Sequence, residues 1–233
     1  MLGSAQCFQG PPPMRNGRKP YFESGGIALY HGDCVALADI WVEADILVMD
    51  PPYGMRFVSG HADTKRPIAN DETTDAREAV LALWGSERPA AVFGTWKVPR
   101  PAGTRHRLIW DKQDGSGAGM GDLDAAFGNS EEEIYLLGEW KRGDRTRLPN
   151  VLRTSSGMAF LATSIGHPTP KPVDLMERII RAAPQGTIAD PFAGSGSTLV
   201  AAKNLGRRAI GVELDERYCE IAANRLRQEV LAL

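Results

Sequence analysis

From residue 27 onward, apolar residues fall in short runs at 27–30, 46–49, 90–93, 107–110, 133–137, 187–189 and 208–212. Runs this short, rich in Val, Ile, Leu and Ala, predict seven strands with a large buried share. Between several of them apolar residues recur at intervals of three and four, which predicts helices over 172–183, 198–205 and 216–231. Strands alternating with helices predict an α/β fold, a doubly wound and mostly parallel sheet with helices on both faces.

Segments outside the pattern set the organisation. Residues 1–24 hold Pro11-Pro12-Pro13 and Asn16-Gly17 with almost no apolar periodicity, and predict a flexible arm ahead of a single domain over 25–233. Inside that domain 55–74 and 141–169 are rich in Gly, Pro, Asn and charge. Loops of that length in a compact domain are functional or disordered. Residues 115–121, with Gly at alternate positions, form a third such segment.

Composition narrows the class. A chain of 233 residues suffices for one large α/β domain and is short for two. With 27 basic against 29 acidic side chains there is no global positive field, so any nucleic-acid contact must come from local clusters. Cys7, Cys34 and Cys219 are odd in number and widely spaced, which disfavours a disulfide framework and a zinc site and suits a reducing cytoplasm. No long apolar stretch or secretory leader is evident, so a soluble intracellular protein is expected.

Two segments carry candidate chemistry. Asp50-Pro51-Pro52-Tyr53 follows the apolar run at 46–49; its prolines fix φ and remove backbone donors, so Asp50 and Tyr53 are held stiffly. A fixed carboxylate beside an aromatic face suits a planar base with an exocyclic amine, adenine or cytosine. Far along the chain, Asp190-Pro191-Phe192-Ala193-Gly194-Ser195-Gly196-Ser197-Thr198 runs from strand through glycine loop into helix, with unpaired N–H groups for a carboxylate or phosphate. A Walker loop would need a Lys that is missing here. Glu213 closes the next strand about twenty residues on, where a carboxylate accepts from ribose hydroxyls. The glycine loop alone suits NAD as well as a methyl donor, but hydride transfer has no use for the Asp50 loop.

Taken in order, Asp50-Pro51-Pro52-Tyr53, then His167-Pro168-Thr169-Pro170-Lys171-Pro172, then the glycine loop and Gly211-Val212-Glu213 with Tyr218 resemble the amino-DNA-methyltransferase family in its beta arrangement, catalytic motif first. Residues 68–72 are similar to the loop of compact bacterial and phage members. The resemblance spans about 27–229 and implies a Rossmann-like methyltransferase sheet, S-adenosylmethionine as cofactor and double-stranded DNA as partner. It assigns catalysis to Asp50, Pro51, Pro52 and Tyr53. Cofactor contacts fall to Asp33, Cys34, Asp50, Lys171, Asp190, Phe192, Ala193, Gly194, Ser195, Gly196, Ser197, Thr198, Glu213 and Leu214. Asp33 also suits a helix cap, and Lys171 a solvated position ahead of a helix.

Asp in the first position resembles the adenine-directed members, so N6 of a flipped adenine is the expected target, with cytosine N4 or an inactive nucleic-acid-binding module as alternatives. The segment between 137 and 167 is short for target recognition, and a homodimer or partner would supply more surface. Lys141, Arg142, Arg145 and Arg147 are the best phosphate-binding cluster, and Trp84, Trp96, Trp110 and Trp140 read as core or interface residues.

Overall fold

Successive residues of a strand face opposite ways, so a run that is apolar throughout must be covered on both faces. In the computed structural model, which describes residues 17–54, 73–112, 126, 128–140, 148–154, 165 and 170–228, that requirement is met by one nine-stranded sheet between two layers of helices. The strands are β1 (Phe22–Ser24), β2 (Ile27–His31), β3 (Ile46–Met49), β4 (Ala90–Gly94), β5 (Thr104–Asp111), β6 (Glu131–Leu137), β7 (Val151–Arg153), β8 (Ile188–Asp190) and β9 (Ala209–Glu213). Five helices lie among the described residues: α1 (Ala38–Trp41), α2 (Asp75–Trp84), α3 (Val173–Ala182), α4 (Ser197–Asn204) and α5 (Glu216–Arg227).

The strand order is β1-β2-β9-β8-β3-β4-β6-β5-β7. From β2 through β9, β8 and β3 to β4 every pairing is parallel; β6 then runs antiparallel to both β4 and β5, and β7 parallel to β5. All seven expected strands are present. The sheet has nine because β1 and β7, three residues each, extend its edges. β1 pairs antiparallel with β2, so the segment expected as a flexible arm ends in a strand.

Residues of β2 divide as the pleat requires. Ile27 and Leu29 join Leu175, Ile179, Leu199, Cys219 and Leu226 on one face, beneath α3, α4 and α5. Ala28 and Tyr30 join Ile40, Trp41, Val80 and Trp84 on the other, beneath α1 and α2. Gly196 is tightly constrained: its φ is +80° and a Cβ there would lie 2.8 Å from that of Ala222, so glycine lets α4 start close against α5. Among the described residues no helix is long and apolar enough to cross a membrane.

Candidate active site

Parallel strands present their C-terminal ends to one side of a sheet. From β8 the chain winds to β9, and from β3 it winds to β4 on the opposite side, so the winding reverses between β8 and β3, where a crevice opens. Asp190 ends β8, Asp50 follows β3, Glu213 ends β9, and Asp33 lies two residues beyond β2. The expected catalytic and cofactor residues thus converge on one edge.

Asp50 sits in a network of charges. Its Oδ1 accepts from the Tyr53 hydroxyl at 2.6 Å, and its Oδ2 lies 2.7 Å from Lys171 Nζ. Lys171 also reaches Glu132 Oε2 at 3.2 Å; Glu132 Oε1 is 2.6 Å from Lys112 Nζ, and the Tyr53 oxygen is 3.3 Å from Glu132 Oε2. Two carboxylates face two ammoniums, which makes burial of the cluster tolerable. Lys171 is only 7% exposed and lies 5.2 Å from the Phe93 ring centre and 5.8 Å from that of Tyr53, so the expected solvated lysine is an interior one.

Protonation follows the geometry. Burial disfavours the Lys171 ammonium, but Asp50 and Glu132 outweigh it and hold the group above the ordinary lysine range. Burial raises the Glu132 carboxyl, yet Lys171 and Lys112 carry it below the ordinary carboxylate range. At Asp50 burial prevails over the pull of Lys171 and the carboxyl is raised. Burial, then Asp50 and Glu132, raise the Tyr53 hydroxyl well above its usual value. An ionised carboxylate has about four acceptor positions, so Asp50 can still take an N–H after Tyr53 and Lys171 are satisfied.

The candidate cofactor half is built on backbone. Glu213 Oε2 accepts from Gly194 N–H and its Oε1 from Asp215 N–H, both at 2.8 Å, which fixes the carboxylate at the strand's end. Burial holds it above the ordinary range. Asp190, 3% exposed, accepts from Phe192 N–H at 3.1 Å, and burial pushes it up to about 7 against hydrogen bonds from the Thr198 hydroxyl and Phe192. Arg225 of α5 donates to the Ser195 carbonyl (2.6 Å) and lies within reach of the Ser195 and Ser197 hydroxyls, tying the loop to α5. Ala193 is buried, and α4 starts at Gly196 with no side-chain cap.

Asp33 is exposed, and its Oδ1 accepts from Val35 and Ala36 N–H at 2.9 Å, so it does cap the turn before α1. Cys34 is buried beneath that turn, and burial pushes its thiol up to about 11. Leu214 is 44% exposed at the end of β9, where its carbonyl meets the His31 ring at 3.1 Å.

Lys141, Arg142, Arg145 and Arg147 lie outside the described residues, as do 55–72, 113–125 and His167 to Thr169. Sequence reasoning missed Glu132, Lys112 and Arg225. A signal existed for two of them. Glu132 shares strand parity with core-facing Ile134 and Leu136, and Arg225 falls three residues after buried Ala222.

A Rossmann-like sheet with a strand-end carboxylate, a glycine loop into an uncapped helix, and an Asp-Pro-Pro-Tyr loop at the winding reversal is the arrangement expected of a methyltransferase. Residues 71–224 match the N6_N4_Mtase family, described as DNA methylase. The chain is similar to putative methylase YubD of Escherichia coli strain K12, 31% identical over 214 residues that cover 84% of this chain and 88% of the relative. It is also similar to type II methyltransferase M.ScaI of Streptomyces caespitosus, 27% identical over 266 residues covering 92% and 86%. Two solved structures share the fold. They are the M1.HpyAVI–SAM complex (TM-score 0.63, 22% identity, 87% of this chain and 100% of that one) and PvuII DNA methyltransferase, cytosine-N4-specific (TM-score 0.64, 16% identity, 93% and 92%). The chain belongs to the N6/N4 DNA methylase family, whose cofactor is S-adenosylmethionine.

Proposed function

We propose that this DNA methylase transfers the methyl group of S-adenosylmethionine to the N6 amine of an adenine flipped out of duplex DNA at a specific site. The observation that carries this reading is Asp50, fixed by Tyr53 and Lys171 at the end of β3 with acceptor capacity to spare. The exocyclic amine of a base is a poor nucleophile because its lone pair is shared with the ring. Accepting its two N–H groups on the Asp50 carboxylate and the Pro51 carbonyl directs the lone pair outward. Pro52 stiffens the loop, and the Tyr53 ring offers a stacking face. Burial, by raising the Asp50 carboxyl, makes it a better acceptor for the proton the amine sheds.

The residues present fit the cofactor. Glu213 is anchored by two backbone amides yet retains acceptor positions for ribose hydroxyls. The N-terminus of α4, uncapped by any side chain, offers amides to a carboxylate, and Gly194 and Gly196 permit close approach. Asp33 and Cys34 on one side, Leu214 and Phe192 on the other, would hold the adenine end. Asp190, Ala193, Ser195, Ser197 and Thr198 keep the loop in shape. When bound, the cofactor supplies a methyl group activated on a sulfonium. Lys141, Arg142, Arg145 and Arg147 would contact phosphates, and a homodimer or partner would add recognition surface.

Cytosine N4 is the second reading. The PvuII enzyme shares the fold, so the architecture serves either amine, and the Asp at position 50 favours adenine. Mass spectrometry of nucleosides from unmethylated DNA incubated with the protein and S-adenosylmethionine tests the proposal. N6-methyladenine is the expected product. N4-methylcytosine would move the target base, and DNA binding without product would leave a binding module.

A further inference from the structure

We infer that Trp96, with Lys97 and Arg100, forms a second DNA-contacting element beside the active site, the indole stacking against bases and the cations meeting phosphates. This rests on the reading of the site as a DNA methylase. β3 and β4 are parallel neighbours with Met49 opposite Val92, so the segment leaving β4 emerges at the edge that carries Asp50. It leaves as a hydrogen-bonded turn, Val98 N–H donating to the Thr95 carbonyl at 3.3 Å with Trp96 and Lys97 at its middle. The Tyr135 hydroxyl of β6, which donates to Glu133, lies 3.4 Å from the same Thr95 carbonyl, and Pro99 and Pro101 stiffen the exit.

Trp41, Trp84 and Trp110 are buried, whereas Trp96 is 66% exposed, which excludes the core position of the two expected for it and leaves the interface one. A single exposed aromatic is ordinary on a protein surface, but one held on a stiff turn at the edge that carries Asp50, with a cation beside it, suits a contact surface. Lys97 Nζ lies 5.8 Å from the indole centre, and both Lys97 and Arg100 are exposed and form no ion pair with any described residue. In a chain of net charge -2, two exposed cations that have no ion-pair partner among the described residues, one against an exposed indole and one four residues on from it in sequence, match a polyanion with stacked rings. Flipping a base unstacks its neighbours, and an aromatic wedge at this edge would offset that loss.

The full chain and its Trp96→Ala, Trp96→Phe and Lys97→Ala/Arg100→Ala variants would be titrated against a labelled mixed-sequence duplex at several salt concentrations. S-adenosylmethionine affinity and sedimentation would be measured in parallel. Trp96→Ala should weaken duplex binding roughly tenfold, as for other base-stacking aromatics, with cofactor affinity and salt slope unchanged. Trp96→Phe should retain most of the affinity. The double variant should lower the salt slope by about 2. Duplex affinity unchanged in Trp96→Ala, or a wild-type dimer that this substitution dissociates, would overturn the inference. Wild-type protein that neither binds nor methylates DNA would instead sink the underlying functional reading.

Discussion

Asp50 has both carboxylate oxygens engaged by the protein, and that explains its fixed aim better than the prolines alone. Asp50→Ala should abolish methylation while S-adenosylmethionine affinity stays within a few-fold, measured by isothermal titration; normal turnover in the variant would dismiss the clamp. Glu132 bridges the two lysines, so Glu132→Gln leaves the buried Lys171 ammonium and the half-buried Lys112 ammonium facing one carboxylate. Breaking a buried charge network in this way costs roughly 3 kcal/mol, which urea unfolding would report. Asp190 acts through proton linkage. Burial raises it from 3.8 to about 7, so the folded state holds a proton that the unfolded chain releases, and its contribution to stability is lost as pH rises between those values. Asp190→Asn abolishes that dependence. Its stability relative to the natural chain should improve from about pH 4 to about pH 7, by up to about 4 kcal/mol, in unfolding titrations across that range.

Six of the seven strand runs were legible because each is short, largely apolar and covered on both faces, which leaves little alternative to a buried strand; β5, exposed at Arg105, His106 and Arg107, was legible only from the apolar run that ends at Trp110. The elements that escaped are those whose burial is partial. β7 buries only Leu152 of its three residues, and α2 buries Arg77 with Val80 and Trp84, a pattern in which a cation occupies an inward position. The glycine loop was readable as a ligand loop, but its second task, packing α4 on α5, was not. Gly196→Ala combines a left-handed conformation with a Cβ contact that must shift α5, so it should destabilise the protein by roughly 2–4 kcal/mol and weaken cofactor binding. Urea unfolding and calorimetry on the same sample would show both; a stable variant with full affinity would mean that the helices separate freely here.

On the scale of the whole molecule, the candidate cofactor residues come from the ends of β2, β8 and β9, with Asp50 beyond β3, so one ligand would cross-link a sheet assembled from distant segments. S-adenosylmethionine at 100 times its Kd should therefore stabilise the entire fold by about 2.7 kcal/mol, read as a rise in thermal midpoint. No rise would mean that the folded chain does not bind it. Local patterns were enough to establish the α/β class, the Asp50 loop and the glycine loop, because hydrophobic period, proline stiffness and glycine spacing act over a few residues. Only the tertiary structure decided that Lys171 and Glu132 meet at Asp50, that Arg225 ties down the glycine loop, and that Trp96 stands in water at the same edge. Each depends on the order in which strands from distant segments pair, and side-chain burial and charge pairing come into being only once that order is set.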